Sequence, residues 1–144
     1  MQNNIVSVII TAYNKERTIK RAIDSILNQT YHSLEIIVIE DKSTDGTLSR
    51  SQEYNNDINL VCHKENKGLY LSRLEAIKYA QGDFITFVDA DDWIETENLP
   101  AFIRFLESCD SDVILTHFHM VDISNDEITK MKSYPAKFGY PITM

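Results

Sequence analysis

The sequence holds only two cysteines in 144 residues, Cys62 and Cys109. They form no CxxC arrangement, which excludes a disulfide framework and a thiolate zinc site, so both read as reduced, buried thiols. Glycine is nearly as scarce, with four residues. None falls in a GxxxxGK[ST] phosphate loop, a GxGxxG dinucleotide turn or a GxSxG nucleophile elbow. Basic residues are outnumbered, 14 against 22 acidic, for a formal net charge of −8. Such a surface repels phosphate backbones, so no nucleic-acid partner is expected and any anionic ligand must be met locally. No apolar run approaches the roughly 20 residues of a membrane span, and "MQNNIVSVIITAYNK" carries no basic leader before a long apolar segment. The expectation is a cytoplasmic protein. His32, His63, His117 and His119 show no HExxH or other ligand spacing and read as structural.

What is present alternates. Apolar runs bounded by turn residues are separated by stretches of helical period, in the order strand, helix, strand, helix, strand, helix, strand, helix, strand. "IVSVIITAY" (5–13), "LEIIVIED" (34–41), "INLVCHK" (58–64), "DFITFVD" (83–89) and "DVILTHFHMVD" (112–122) are the strands. In the first helix Ile19, Ala22, Ile23, Ile26 and Leu27 share one face. The helix after Gly68 should bury Leu71, Leu74, Ile77 and Ala80 and close at Gly82. Thr96 is placed to cap the fourth helix, with Pro100 in its first turn. Beyond Ile123 the periodicity fades, and Tyr134-Pro135 and Tyr140-Pro141 suggest irregular or hairpin structure. Continuous apolar strands between helices imply an α/β architecture with a mostly parallel sheet covered on both faces. Ligands of such sheets sit outside the carboxyl ends of the strands. "TAYNK", "EDKSTDGT" and "DADDW" follow the first, second and fourth strands, so all three should face one crevice.

"FITFVDADDWI" packs Asp89, Asp91 and Asp92 into four positions. Two carboxylates about 4 Å apart repel by roughly 4 kcal/mol at an effective dielectric of ~20. With no lysine or arginine in that segment, a divalent cation held by Asp91, with Asp89 nearby, is the economical remedy, and oxygen-only ligands favour Mg2+ or Mn2+. The rival reading makes the aspartates complements of the following helix dipole, with Asp92 the clearest candidate for a simple cap. "DKSTDGTLSRSQ" has the early spacing of a calcium loop, but Gln52 stands where the bidentate glutamate belongs. Asp45 reads instead as a cap for a helix beginning at Gly46. Asp41, at the strand tip, is free to accept a hydrogen bond from a ligand such as a base N–H. Tyr13 offers an aromatic face for stacking and Thr11 a hydroxyl beside it. Arg73, on the helix after Gly68, could reach a phosphate or a base.

Taken in order, "VSVIITAYNKERTIKRAIDSILNQTYHSLEIIVIEDKSTDGT" and "ENKGLYLSRLEAIKYAQGDFITFVDADDWI" resemble the N-terminal half of family 2 glycosyltransferases with the Rossmann-like GT-A fold, over about residues 5–110. The resemblance implies that Thr11, Tyr13 and Asp41 hold the base and ribose of a nucleotide-sugar, commonly a UDP-sugar. It also implies that Arg73 belongs to the nucleotide site, and that Asp89 and Asp91 form the DxD that binds Mn2+ or Mg2+ and the donor diphosphate. Sugar transfer to a hydroxyl of a glycan or lipid-linked acceptor, with inversion, would follow. The family places its base and acceptor-binding segments well downstream, so residues 1–144 are expected to be a single donor-binding half, cytoplasmic or peripheral to a membrane. Surface exposed by the missing part could drive a homodimer. None of Asp112, Asp122, Asp126 and Glu127 has a context that marks it as the base. Thr11 departs from the family's common proline, and Glu40 and Lys42 from its aspartate and glycine. Leu74 and Ala76 depart from polar and glycine positions. Two other classes are weighed: a module that binds nucleotide-sugar without transfer, and a haloacid-dehalogenase-type phosphatase. The phosphatase places its DxD after the first strand and follows it with threonine or valine, unlike Asp92-Trp93 here.

Overall fold

The computed structural model describes residues 4–108, 118–124 and 127–134. They divide into two compact units, Met1–Phe102 and Ile103–Met144. The first contains β1 (Val6–Ala12), α1 (Ile19–Leu27), β2 (Leu34–Glu40), α2 (Thr47–Gln52), β3 (Asn59–Cys62), α3 (Gly68–Ile77) and β4 (Phe84–Asp89). Helix α4 spans Asn98–Ser108. Its strands form one four-stranded sheet in the order β3-β2-β1-β4, and every pairing is parallel.

That order dictates the layers. The chain steps β1 to β2 to β3 in one direction, then crosses back past β1 to β4. Right-handed crossovers put α1 and α2 on one face and α3 on the other. The packing agrees: Ile9, Ile37 and Ile39 pack with Ala76 of α3 in one buried cluster. With helices on both sides, β1 and β2 must be apolar at successive positions. Val8, Ile9, Ile10, Ile37, Val38 and Ile39 are fully buried. Burying one such side chain contributes about 1.5–3 kcal/mol, so these two strands are the centre of the core.

Several expectations are corrected at the margins. Leu71, Leu74 and Ile77 are 51%, 44% and 41% exposed, and α3 instead buries Ser72 and Ala76. Small side chains let the helix backbone lie close to the sheet, which turns the leucines outward. Gly82 does not close α3, which ends at Ile77. Its N–H donates to Ser7 Oγ at 2.9 Å, and a Cβ there would stand 2.6–2.7 Å from Ser7 Oγ, Ile5 O and Ser7 N. Leu27 is exposed at the end of α1. Cys62 is a free, exposed thiol, because β3 is a sheet edge. Ile85 and Phe87 of β4, the other edge, are 40% and 41% exposed, so the sheet is not covered evenly. Asp92 and Thr96 do not cap α4. The Leu99 N–H is met by Gln29 Oε1, while Gln29 Nε2 donates to the carbonyls of Ser25, Ile94 and Glu95.

In the second unit β5 (Phe118–Ser124) pairs antiparallel with β6 (Glu127–Tyr134). The expected fifth strand therefore belongs to a hairpin, and not to the parallel sheet. Its predicted start at Asp112, with Cys109, His117, Asp126 and the Pro135 and Pro141 turns, lies outside the described residues. No described helix is long and apolar enough to cross a membrane.

Candidate functional site

The strand order reverses between β1 and β4, and at such a switch point the loops leaving adjacent carboxyl ends diverge and open a crevice. Thr11 is in register with Asp89 across that junction and with Ile39 on the other side. Tyr13 follows β1 and is 46% exposed. The Asp41 N–H donates to Ala12 O at 2.9 Å, which fixes the β2 tip beside it. The first and second loops are stitched together: Asn14 N–H donates to Ser43 Oγ, Thr44 N–H to Asn14 Oδ1, and Lys15 N–H to Thr47 Oγ1. The structure thus gathers Thr11, Tyr13, Asp41, Arg73, Asp89 and Asp91 along one rim of the sheet. A cleft of about 360 Å³ opens there, lined by residues 14–18, Asp45 and Asp91. A concavity of similar size around His32 and Gln81 lies at the opposite ends of the strands.

The aspartates of the β4 loop find their positive partners far away in sequence. Arg73 Nη2 meets Asp89 Oδ1 at 2.5 Å, and Lys15 Nζ meets Asp91 Oδ2 at 2.5 Å. Arg21 Nη2 donates to the Asp91 carbonyl at 2.6 Å while its guanidinium lies 4.5 Å from the Trp93 ring centre. The positive charge that the acidic segment itself lacks is supplied here by side chains of the β1 loop, α1 and α3. The Lys15 hydrogen bond outweighs burial and holds the Asp91 carboxyl below its ordinary pKa. Asp92 goes the other way, pushed up by desolvation and then by the charges of Asp91 and Asp89. Among the described residues no group of three or more His, Cys, Asp or Glu side chains is arranged to hold a metal. Asp89 and Asp91 nevertheless each keep one carboxylate oxygen beyond those taken by Arg73 and Lys15. That fits an ion gripped by one or two carboxylates and completed by ligand oxygens and water, as Mg2+ is usually held, rather than an all-protein cage.

Asp41 is not free in the sense expected. It is buried, and its Oδ1 accepts from His63 Nδ1 at 2.6 Å and from Lys67 N–H at 2.8 Å, its Oδ2 from Gly68 N–H at 2.8 Å. Burial alone would raise its pKa, but the combined hydrogen bonds from Lys67, His63 and Gly68 hold it below 3.8. Gly68 has φ +79°, a left-handed conformation that costs glycine nothing and lets its N–H turn to Asp41. Lys42, where glycine was expected by resemblance, adopts φ +61°. Helix α2 begins at Thr47, one residue later than expected, and Asp45 accepts the Thr47 N–H at 2.9 Å.

A sequence profile described as "Glycosyl transferase family 2" matches residues 7–143. The chain belongs to that family. It is 35% identical over 138 residues to the UDP-Glc:alpha-D-GlcNAc-diphosphoundecaprenol beta-1,3-glucosyltransferase WfaP of Escherichia coli, covering 94% of this chain and 54% of WfaP. It is 36% identical over 114 residues to the poly(ribitol-phosphate) beta-N-acetylglucosaminyltransferase TarS of Staphylococcus aureus, covering 76% of this chain and 20% of TarS. The crystal structure of S. aureus TarS 1–349 in complex with UDP superimposes with a TM-score of 0.71 at 34% identity, over 75% of this chain and 33% of that one. A Pyrobaculum calidifontis mannosyltransferase in complex with GDP-Man and Mn2+ gives a TM-score of 0.63 at 28% identity, over 68% and 30% of the two chains. The fold is GT-A, and the chain spans about half or less of these relatives' lengths.

Sequence reasoning missed Lys15, Arg21 and His63. The two cations lie 76 and 70 positions from their partner Asp91, so no inspection of the acidic segment could find them. For His63 a signal existed: it directly follows the third strand, at the same rim as the other candidates.

Proposed function

We propose that these residues form the donor-binding half of an inverting glycosyltransferase that takes a nucleotide-sugar, a UDP-sugar in the first instance, and delivers the sugar to a hydroxyl of a glycan or lipid-linked acceptor. One observation carries the reading: Thr11, Tyr13, Asp41, Arg73, Asp89 and Asp91 converge on the β1/β4 switch point of a GT-A sheet. The names of the similar proteins, with UDP, UDP-Glc and GDP-Man among their ligands and donors, support the donor class.

Each side chain then has a task. The half-exposed ring of Tyr13 stacks on the base, Thr11 reaches the nucleoside from the strand beside it, and Asp41 accepts from a base N–H. Arg73 and Lys15, now paired with Asp89 and Asp91, are long enough to turn to phosphate oxygens and meet the donor's charge. Asp91, with Asp89, would hold Mn2+ or Mg2+ at the diphosphate. The ion's chemistry there is neutralisation of charge that develops on the departing nucleoside diphosphate. Attack by an acceptor hydroxyl on the anomeric carbon from the face opposite that leaving group gives inversion. The work of the described residues is to bind, orient and desolvate the donor, and no described side chain is assigned as base. An acceptor in a lipid-linked glycan places the working protein at a membrane surface.

Calorimetric titration with UDP tests this directly. Affinity should rise with Mn2+ for the natural chain, and Asp91→Ala should lose that increment, by about tenfold or more. Equal binding with Mn2+, without it, and in Asp91→Ala would defeat the metal bridge. No binding of UDP at all would defeat the donor assignment.

A further inference from the structure

The carboxylate of Asp41 is set by a residue that the reading above does not use. An ionised carboxylate has about four acceptor positions. Three are filled, two on Oδ1 by His63 Nδ1 and Lys67 N–H and one on Oδ2 by Gly68 N–H. Two of those donors are backbone groups of one loop. The third, His63, is a side chain from the end of β3, with 2% of its side chain accessible. Its Nε2 lies 3.4 Å from Glu75 Oε2, with no hydrogen bond from that nitrogen, and Glu75 is itself held by Lys67 Nζ at 2.6 Å. Asp41 accepts, so Nδ1 carries the proton that faces it.

We infer that His63 is a positioning residue for base recognition: through Asp41 it fixes the rotation of the carboxylate, so that one lone pair on Oδ2 is presented to the ring N–H of a nucleobase. This rests on the proposed role of Asp41. It deepens that role by naming the chemistry selected, a base with a ring N–H donor such as the imide of uracil, over one that offers a bare ring nitrogen such as cytosine. Without His63 the carboxylate keeps only the two backbone donors at the start of α3, one on each oxygen. It can then rotate, and the free acceptor position is no longer aimed.

The test compares UDP with N3-methyl-UDP by calorimetry on the full chain. The natural protein should prefer UDP by about tenfold, the value of one hydrogen bond to a charged acceptor. His63→Asn puts an amide nitrogen where imidazole Nδ1 stood and should keep that preference. His63→Leu and His63→Gln, whose amide reaches toward Glu75 instead, should lose it, with both nucleotides binding within about threefold. Thermal melting verifies that each variant is folded. Should His63→Leu fail to fold, the Asn and Gln variants decide. A folded Leu or Gln variant that retains the full preference overturns the inference. If the natural protein binds UDP and N3-methyl-UDP equally, the inference falls and nucleotide binding stands. If it binds neither, the proposed function itself has failed.

Discussion

The two strands that flank β1 end in carboxylates held in opposite ways. At the tip of β2, Asp41 is buried and pinned by two backbone N–H groups and a buried imidazole. At the tip of β4, Asp89 and Asp91 have about half their side chains accessible, 45% and 52%, and are met by the ends of an arginine and a lysine. Backbone donors cannot leave and the buried imidazole stops the carboxylate from turning on them, so the first arrangement is fixed; long cationic side chains exchange partners at little cost, so the second is replaceable. A fixed acceptor suits recognition of a rigid base. A replaceable neutralisation suits a site where a diphosphate and a cation must arrive and depart. The contrast shows how one rim can be both selective and reversible.

The hardest test of this contrast removes each carboxylate in turn. Asp41→Ala strands two half-buried N–H groups and a buried imidazole and should cost about 3–5 kcal/mol of stability, whereas Asp91→Ala, breaking an exposed pair, should cost about 1 kcal/mol or less; urea unfolding compares them. Equal losses would erase the distinction. Acid should reveal the same asymmetry. The folded-state pKa of Asp41 lies below its ordinary 3.8, so its contribution is fully present above about pH 4 and is lost as pH falls through the folded value. Following urea midpoints from pH 5 to pH 2.5, Asp41→Asn should show a shallower decline than the natural chain.

A smaller effect separates the backbone from the side chains at the β2 tip. Lys42 follows Asp41 in the left-handed region, where a Cβ costs about 1–2 kcal/mol, so Lys42→Gly should raise stability by about 1 kcal/mol, net of glycine's greater unfolded-state entropy. A loss of stability on that change would mean that the lysine side chain has a stabilising contact of its own. The smallest effect sharpens the β4 side. Lys15 occupies one Asp91 oxygen, so Lys15→Met should tighten Mn2+ binding by the donor-free protein about two- to fivefold, in keeping with the worth of an exposed ion pair. Mn2+ titration followed by electron paramagnetic resonance reads this without any turnover.

Much of this was legible in the amino-acid order because parallel sheets are strict. Five nearly continuous apolar positions in β1, Val6, Val8, Ile9, Ile10 and Ala12, demand cover on both faces, and parallel strands must deliver their polar ends to one rim. Tyr13, Asp41 and Asp91 could therefore be placed together before their contacts were known. The failures share a cause. Leu71, Leu74 and Ile77 make a good apolar stripe, but close approach of α3 to β1 and β2 selects Ser72 and Ala76, and small residues carry little hydrophobic signal. Lys15, Arg21 and His63 act on residues distant in sequence, and long-range pairing leaves no local pattern.

Gly82 has a practical consequence for anyone who maps this protein by random substitution. Any side chain there would collide with main-chain atoms where the sheet begins, so every replacement should score as inactive. In a selection it would be indistinguishable from Tyr13 or Asp91, although it lies at the far end of the strands from them. Only soluble yield and melting temperature, measured alongside activity, would keep an assembly defect from being mistaken for a piece of the chemistry.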